Sequence, residues 1–164
     1  EESIKSLKEA SILFMNYWKE AELENAGIIS EKAMVELDHI VNEILRKRDQ
    51  LKTDNNFNGS ALESHLNTDC GVELTSLLNT ERDNFINSRP GNFSLPRTGN
   101  IIKYNKLINK IKHRRADKVN FKIGNNDEHI FYIIIDASMG QPDTIVEFDI
   151  ADFCKSSKLV STTI

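Results

Sequence analysis

The sequence predicts a mainly α protein: a four-helix-bundle-like core over residues 1–117, followed by a small antiparallel β meander over 118–164 as an extension of the same domain. Three observations carry this. Apolar residues recur at spacings of three and four through the first two thirds of the chain, as on one face of a helix. After residue 118 the period changes to two, as in a strand. The 164 residues, 39% hydrophobic and 28% charged, suffice for one domain with a real core and an ordinary charged surface.

The first helix spans about 3–26, with Ile4, Leu7, Ser11, Phe14, Trp18 and Ala21 in its apolar stripe. Gly27 serves as its stop and Ser30 as the N-cap of a second helix over about 30–52. Ala33, Leu37, Ile40, Val41, Ile44 and Leu51 form the buried face of that helix, and the short link predicts an antiparallel hairpin. Thr53–Gly59 is a polar loop, and Ser60-Ala61-Leu62-Glu63 matches a capping box that opens a third helical piece. Gly71 interrupts it or separates it from the next helix, and Val72, Thr75, Leu78 and Phe85 trace a helical face to about residue 87.

Arg89–Gly99, with two of the three prolines, is a loop expected to be mobile or draped over a site. A helix over about 99–116 follows, with Ile101, Tyr104, Ile108 and Ile111 on its apolar face. Val119, Phe121 and Ile123 then alternate with Asn120 and Lys122 as a strand. Gly124–Asp127 is a turn, and Ile130–Ile135 a β-prone run, apolar on both faces. That run is expected to be the central strand, with one face needing a partner such as a second subunit. Thr144–Phe148 is the third strand, and Asp149 caps a short helix around Phe153.

The net charge of −4 excludes a surface built as a whole to attract nucleic acid, but leaves room for a local basic patch. Cys70 and Cys154 are too far apart in sequence to form a metal-ligand pair, and two cysteines make no disulfide framework; a reducing, cytoplasmic compartment is expected. No apolar run reaches membrane-spanning length and no secretory signal is visible, so no membrane association is expected. The chain begins at Glu1 rather than at a methionine, which leaves room for a preceding segment.

The chemistry concentrates in Tyr104–Arg115. Lys106, Asn109, Lys110 and His113 share one helical face. A histidine near its ordinary pKa transfers protons at neutral pH, cations stabilise charge developing on a phosphate, and an asparagine orients either partner. The helix dipole by itself also favours a basic run at a helix C-terminus, and Lys110, Lys112, His113, Arg114 and Arg115 all lie there. Other histidines offer less: His39 sits among Leu37, Ile40 and Val41, His65 matches no metal-ligand spacing, and His129 opens a strand and is expected to face solvent. No metal or other cofactor is called for.

Asn109-Lys110-Ile111-Lys112-His113-Arg114, late in a helical chain, resembles the signature helix of the HEPN superfamily, whose helical bundles include toxin ribonucleases and phage-defence components. The family motif is an arginine followed, after four to six residues, by a histidine, commonly with a polar residue after the arginine. Here Lys106 stands nearest the arginine's place and Leu107 follows it. Lysine keeps the charge but lacks the planar fork. The resemblance implies a protein acting on or binding RNA in a defence or toxin–antitoxin setting. It implies a metal-independent endoribonuclease with His113, Asn109 and Lys106 as catalytic residues and Lys110, Arg114 and Arg115 on the substrate. It also implies a homodimer with the signature helices facing each other. The alternative is a non-enzymatic interaction module, of immunity or adaptor type, with a degenerate site and a partner protein. A third reading is nucleotide binding with Arg89 and Arg97 as anion contacts.

Overall fold

Local capping decides where the first helices begin and end. A computed structural model describes residues 1–164. Helix α1 (Glu2–Lys19) buries Ile4, Leu7, Ala10, Ser11 and Phe14. It ends in a Schellman turn: the Glu22 N–H donates to Tyr17 O and the Ala21 N–H to Trp18 O, with Ala21 at φ 57°. Helix α2 (Leu23–Thr53) starts at once and runs through both Gly27 and Ser30, so the expected stop and N-cap lie inside it. The Schellman hydrogen bonds satisfy the end of α1 without a glycine, and Gly27 is tolerated mid-helix at about 1 kcal/mol relative to alanine. The predicted helical hairpin is present, with its turn earlier than expected.

Helix α3 (Ala61–Leu66) is capped by Ser60, whose Oγ accepts the Glu63 N–H at 3.1 Å. Glu63 reaches back one residue further than a capping box requires, accepting the Gly59 N–H at 2.6 Å. The helix predicted beyond this point does not form. Residues Asp69–Thr75 are strand β1, and α4 is confined to Asn79–Asn87. Gly71, at φ +99°, sits where the register of β1 shifts between Asp69 and Val72, at a β-bulge. Residues Asn100–Lys103 form strand β2, so α5 is shorter than expected, Tyr104–Lys112. Gly99 leads into β2 against the β1 backbone; a Cβ there would lie 2.5 Å from Glu73 O.

Three strands lie where the last strands were expected, β3 (Val119–Ile123), β4 (His129–Ile135) and β5 (Thr144–Asp149), followed by α6 (Ile150–Ser161). All pairings are antiparallel and the strand order is β2-β1-β5-β4-β3. A four-helix-bundle core followed by a β tail is therefore not the fold. The protein is a mixed α+β chain whose five-stranded sheet recruits two strands from the region read as helical. The central strand is β5, not β4. Phe131 and Ile133 on one face of β4, and Tyr132 and Ile134 on the other, are all buried within a single chain, so this strand calls for no partner.

The chain divides into two units, residues 1–68 with 150–164, and residues 69–149. In the first, α6 packs on α1 and α3 beside the α1–α2 hairpin. In the second, Leu74, Ile145, Ile134 and Tyr132 on one sheet face pack with Phe85 of α4 and Phe93 of the following loop. Phe93 meets both Phe85 and Tyr132 edge-on, with ring centroids 4.9 and 4.8 Å apart. Strand alternation turns Glu73 to the opposite face, where α5 lies.

Candidate functional site

Tyr104, Leu107, Ile108 and Ile111 of α5 are fully buried. Burial of that stripe fixes the roll of the helix and turns Lys106, Asn109, Lys110 and Lys112 away from the core. The structure then separates the predicted site residues into two sets.

The first set is committed to folding contacts. Lys106 Nζ lies 2.7 Å from Oε1 of Glu73, a carboxylate only 6% exposed on β1. Lys103, the last residue of β2, lies at the same 2.7 Å from Asp69, but in a pair exposed on both sides. Asn109 Nδ2 donates to Asn105 O at 3.0 Å, back along its own helix. Arg114 Nη1 donates to Ile111 O at 2.9 Å, a carbonyl in the last turn of α5 that also accepts the Arg114 backbone N–H. Arg115 pairs with Asp117 through two bonds of 3.0 and 2.7 Å, and its backbone N–H donates to Ile134 O. Hydrogen bonding to Asp117 holds the Arg115 guanidinium above its ordinary pKa, and the same bond holds the Asp117 carboxyl below the usual range.

The second set is Lys110, Lys112 and His113, whose side chains have neither a hydrogen-bond nor an ion-pair partner in the chain. His113 is the C-cap residue of α5 and is exposed; its N–H donates to Asn109 O.

The Arg89–Gly99 loop is tied to the core at Phe93 and at its start, and of its two arginines Arg97 is paired while the Arg89 side chain is exposed. Phe93 anchors it in the core, and the buried Asn120 side chain holds its start. Asn120 Nδ2 donates to Ser88 Oγ and Arg89 O, and its Oδ1 accepts the N–H groups of Gly91 and Phe121. Arg97 is clamped by Glu81, at 2.8 and 3.2 Å, and that contact lowers the Glu81 carboxyl pKa. Asn120 gave no signal in the sequence beyond its place in an alternating strand, where a polar residue reads as solvent-facing.

The other candidates disperse. His129 is buried, not solvent-facing, and lies edge-on to Phe121 and Phe131. Burial pushes its pKa down to about 4. His39 is exposed on an open groove lined also by Glu36, Glu43, Glu1 and Glu2. Asp143 is tied to Arg82 at 3.3 Å and to the Ala137 N–H, within a network in which Arg82 also meets Asp136 at 2.7 Å. No group of three His, Cys, Asp or Glu side chains is arranged to hold a metal ion. No helix is long and apolar enough to cross a membrane.

Comparison of the chain with family models, with curated proteins and with solved structures finds no match in any of the three.

Proposed function

We propose that this chain is a non-enzymatic interaction module of a cytoplasmic defence or toxin–antitoxin system, carrying a degenerate form of the HEPN-type site that its α5 segment resembles. One observation carries this reading. Of the three residues cast as catalytic, Lys106 neutralises a buried carboxylate and Asn109 is bonded to its own helix, which leaves His113 alone. A metal-independent ribonuclease has to remove a proton from the 2′-hydroxyl, protonate the leaving oxygen and stabilise the charge between them. Within one chain, a single exposed imidazole at a helix end, with no side-chain partner to complete an acid–base pair, meets one of those requirements. The test is incubation of the purified chain with single-stranded RNA in chelator. The expected result is no product with cyclic phosphate ends; cleavage that disappears in His113→Ala would overturn the reading.

A second reading, RNA binding without cleavage, is favoured by the three unpartnered side chains Lys110, Lys112 and His113. A lysine that neutralises one phosphate of a single strand contributes about 0.7 to the slope of log K against log salt. Fluorescence anisotropy with a labelled single-stranded RNA should then show Lys110→Ala/Lys112→Ala flattening the slope by about 1.4. An unchanged slope removes α5 from any RNA contact.

A further inference from the structure

The outer face of α2 carries two columns of charge that flank a short apolar line. Ala26, Ala33, Leu37, Ile40 and Ile44 turn inward. Diametrically opposite, Ile28 and Val35 are 63% and 68% exposed, two helical turns apart. The exposed Asn42 continues the same line. On one flank stand Glu24, Glu31 and Asp38, each seven residues from the next. On the other stand Lys32, His39 and Arg46, again at seven-residue spacing. Offsets of three and four residues from an apolar position place the two columns about 50° to either side of it.

Arg46 is paired within the chain, with Glu43 at 3.0 Å, and the half-buried Asp38 is engaged within it as well. Glu31 and Lys32 have no partner in the chain, although Arg46–Glu43 and Arg48–Asp49 pair on the same helix.

We infer that the outer face of α2 is an interface between two copies of this chain, paired in parallel about a two-fold axis along the helix. Charge decides both the occupant and the orientation. Rotation about an axis parallel to α2 brings the acidic column of one copy against the basic column of the other. Glu31 then lies level with the partner's Lys32, and Asp38 with the partner's His39, because adjacent residues differ by only about 1.5 Å along the axis. The apolar line is buried at the centre, Ile28 on Ile28 and Val35 on Val35. An antiparallel pairing on the same face would set acid against acid and base against base. A different partner would have to reproduce both columns; a second copy supplies them by symmetry. This interface does not depend on what α5 does.

Sedimentation equilibrium of the full chain tests it. The wild type is expected to dimerise reversibly below about 100 µM, and Val35→Glu to raise Kd by at least about tenfold. Glu31→Lys, which sets like charge against like twice per dimer, is expected to do the same, and Glu31→Lys/Lys32→Glu to restore Kd to within about threefold. All four positions are solvent-facing, so circular dichroism should show each variant folded. A wild type that stays monomeric at about 100 µM overturns the inference. So does a dimer that survives Val35→Glu, one that the charge swap fails to rescue, or one that Lys110→Glu on α5 disrupts while Val35→Glu does not.

Discussion

Lys106→Ala separates a structural from a catalytic lysine. The ammonium lies 2.7 Å from the Glu73 carboxylate; the Glu73 side chain is 9% exposed and the Lys106 side chain 51%. Removing one partner of a fully buried pair costs about 3–5 kcal/mol, because the other charge is left without compensation. A fully exposed pair contributes at most about 1 kcal/mol. Here one partner is buried and water reaches the other, so the cost of Lys106→Ala should fall between these limits, at about 2 kcal/mol, part of it lost packing of the lysine stem. Glu73→Gln keeps an acceptor for Lys106 and removes the buried charge, and should cost about 1 kcal/mol. The double variant should be more stable than the sum of the singles predicts, by about 1 kcal/mol, since neither partner is then left charged and alone. Urea unfolding resolves this: with a slope of roughly 2 kcal/mol per molar, Lys106→Ala moves the midpoint by about 1 M. A Lys106→Ala protein within about 0.3 kcal/mol of wild type, or strictly additive singles, would refute the structural assignment and return Lys106 to the functional candidates.

Two other expectations follow from the same geometry. His129 is neutral in the folded protein down to about pH 4, whereas in the unfolded chain it takes a proton near 6.5. Its contribution to stability is therefore complete above pH 6.5 and falls as pH drops toward 4, by up to about 3 kcal/mol, because the unfolded state binds the proton first. Stability measured from pH 7 to pH 4.5 should fall less steeply in His129→Leu than in the wild type; parallel curves would refute the assignment. Ala21 sits at φ 57° in the Schellman turn, where a Cβ costs about 1–2 kcal/mol. Ala21→Gly removes that strain and adds about 0.4–1 kcal/mol of unfolded-chain entropy, so it should stabilise the protein by about 0.5–1 kcal/mol in urea unfolding. A lower midpoint would show that the turn is held by something other than its backbone hydrogen bonds.

What was legible in the sequence was local. β3 announces itself by alternation, β4 by an unbroken β-prone apolar run, and the Gly124–Asp127 turn joins them; both pair with their neighbours in the chain. β1 does not: Val72 and Thr75 fall by chance at helical spacing, and β1 acquires its structure from β5, far along the sequence. A pairing of that kind leaves little trace in local periodicity, and tertiary context overrides propensity. β2 is four residues long and runs straight into α5, so its Ile101 and Ile102 read as the first turn of that helix. At the site, the division of α5 into an apolar and a polar face was legible, because Tyr104, Ile108 and Ile111 could only turn inward. Which polar side chains remain available was not. Glu73 had to be placed on a strand before it could be seen as the counter-charge of Lys106, and Asn120 had to be buried before it could be seen as the anchor of the loop after α4.

The position of the basic run on α5 bears on its role as much as its composition does. Lys110 and Lys112 occupy the last turn, Arg114 donates to a terminal carbonyl, and all three face the negative end of the helix dipole. Cations there stabilise the helix itself. A phosphate brought to the same place meets unsatisfied carbonyls rather than N–H groups, the reverse of the arrangement by which helix N-termini hold anions. Stabilising a phosphorane at that point would require the side chains to overcome the helix end as well as to neutralise the added charge. Lys106, farther back along the helix and so better placed against that field, is the one already engaged by Glu73. The contacts and the helix field both give the run a part in completing α5, and catalysis at this point would draw on groups that a single chain does not bring to it.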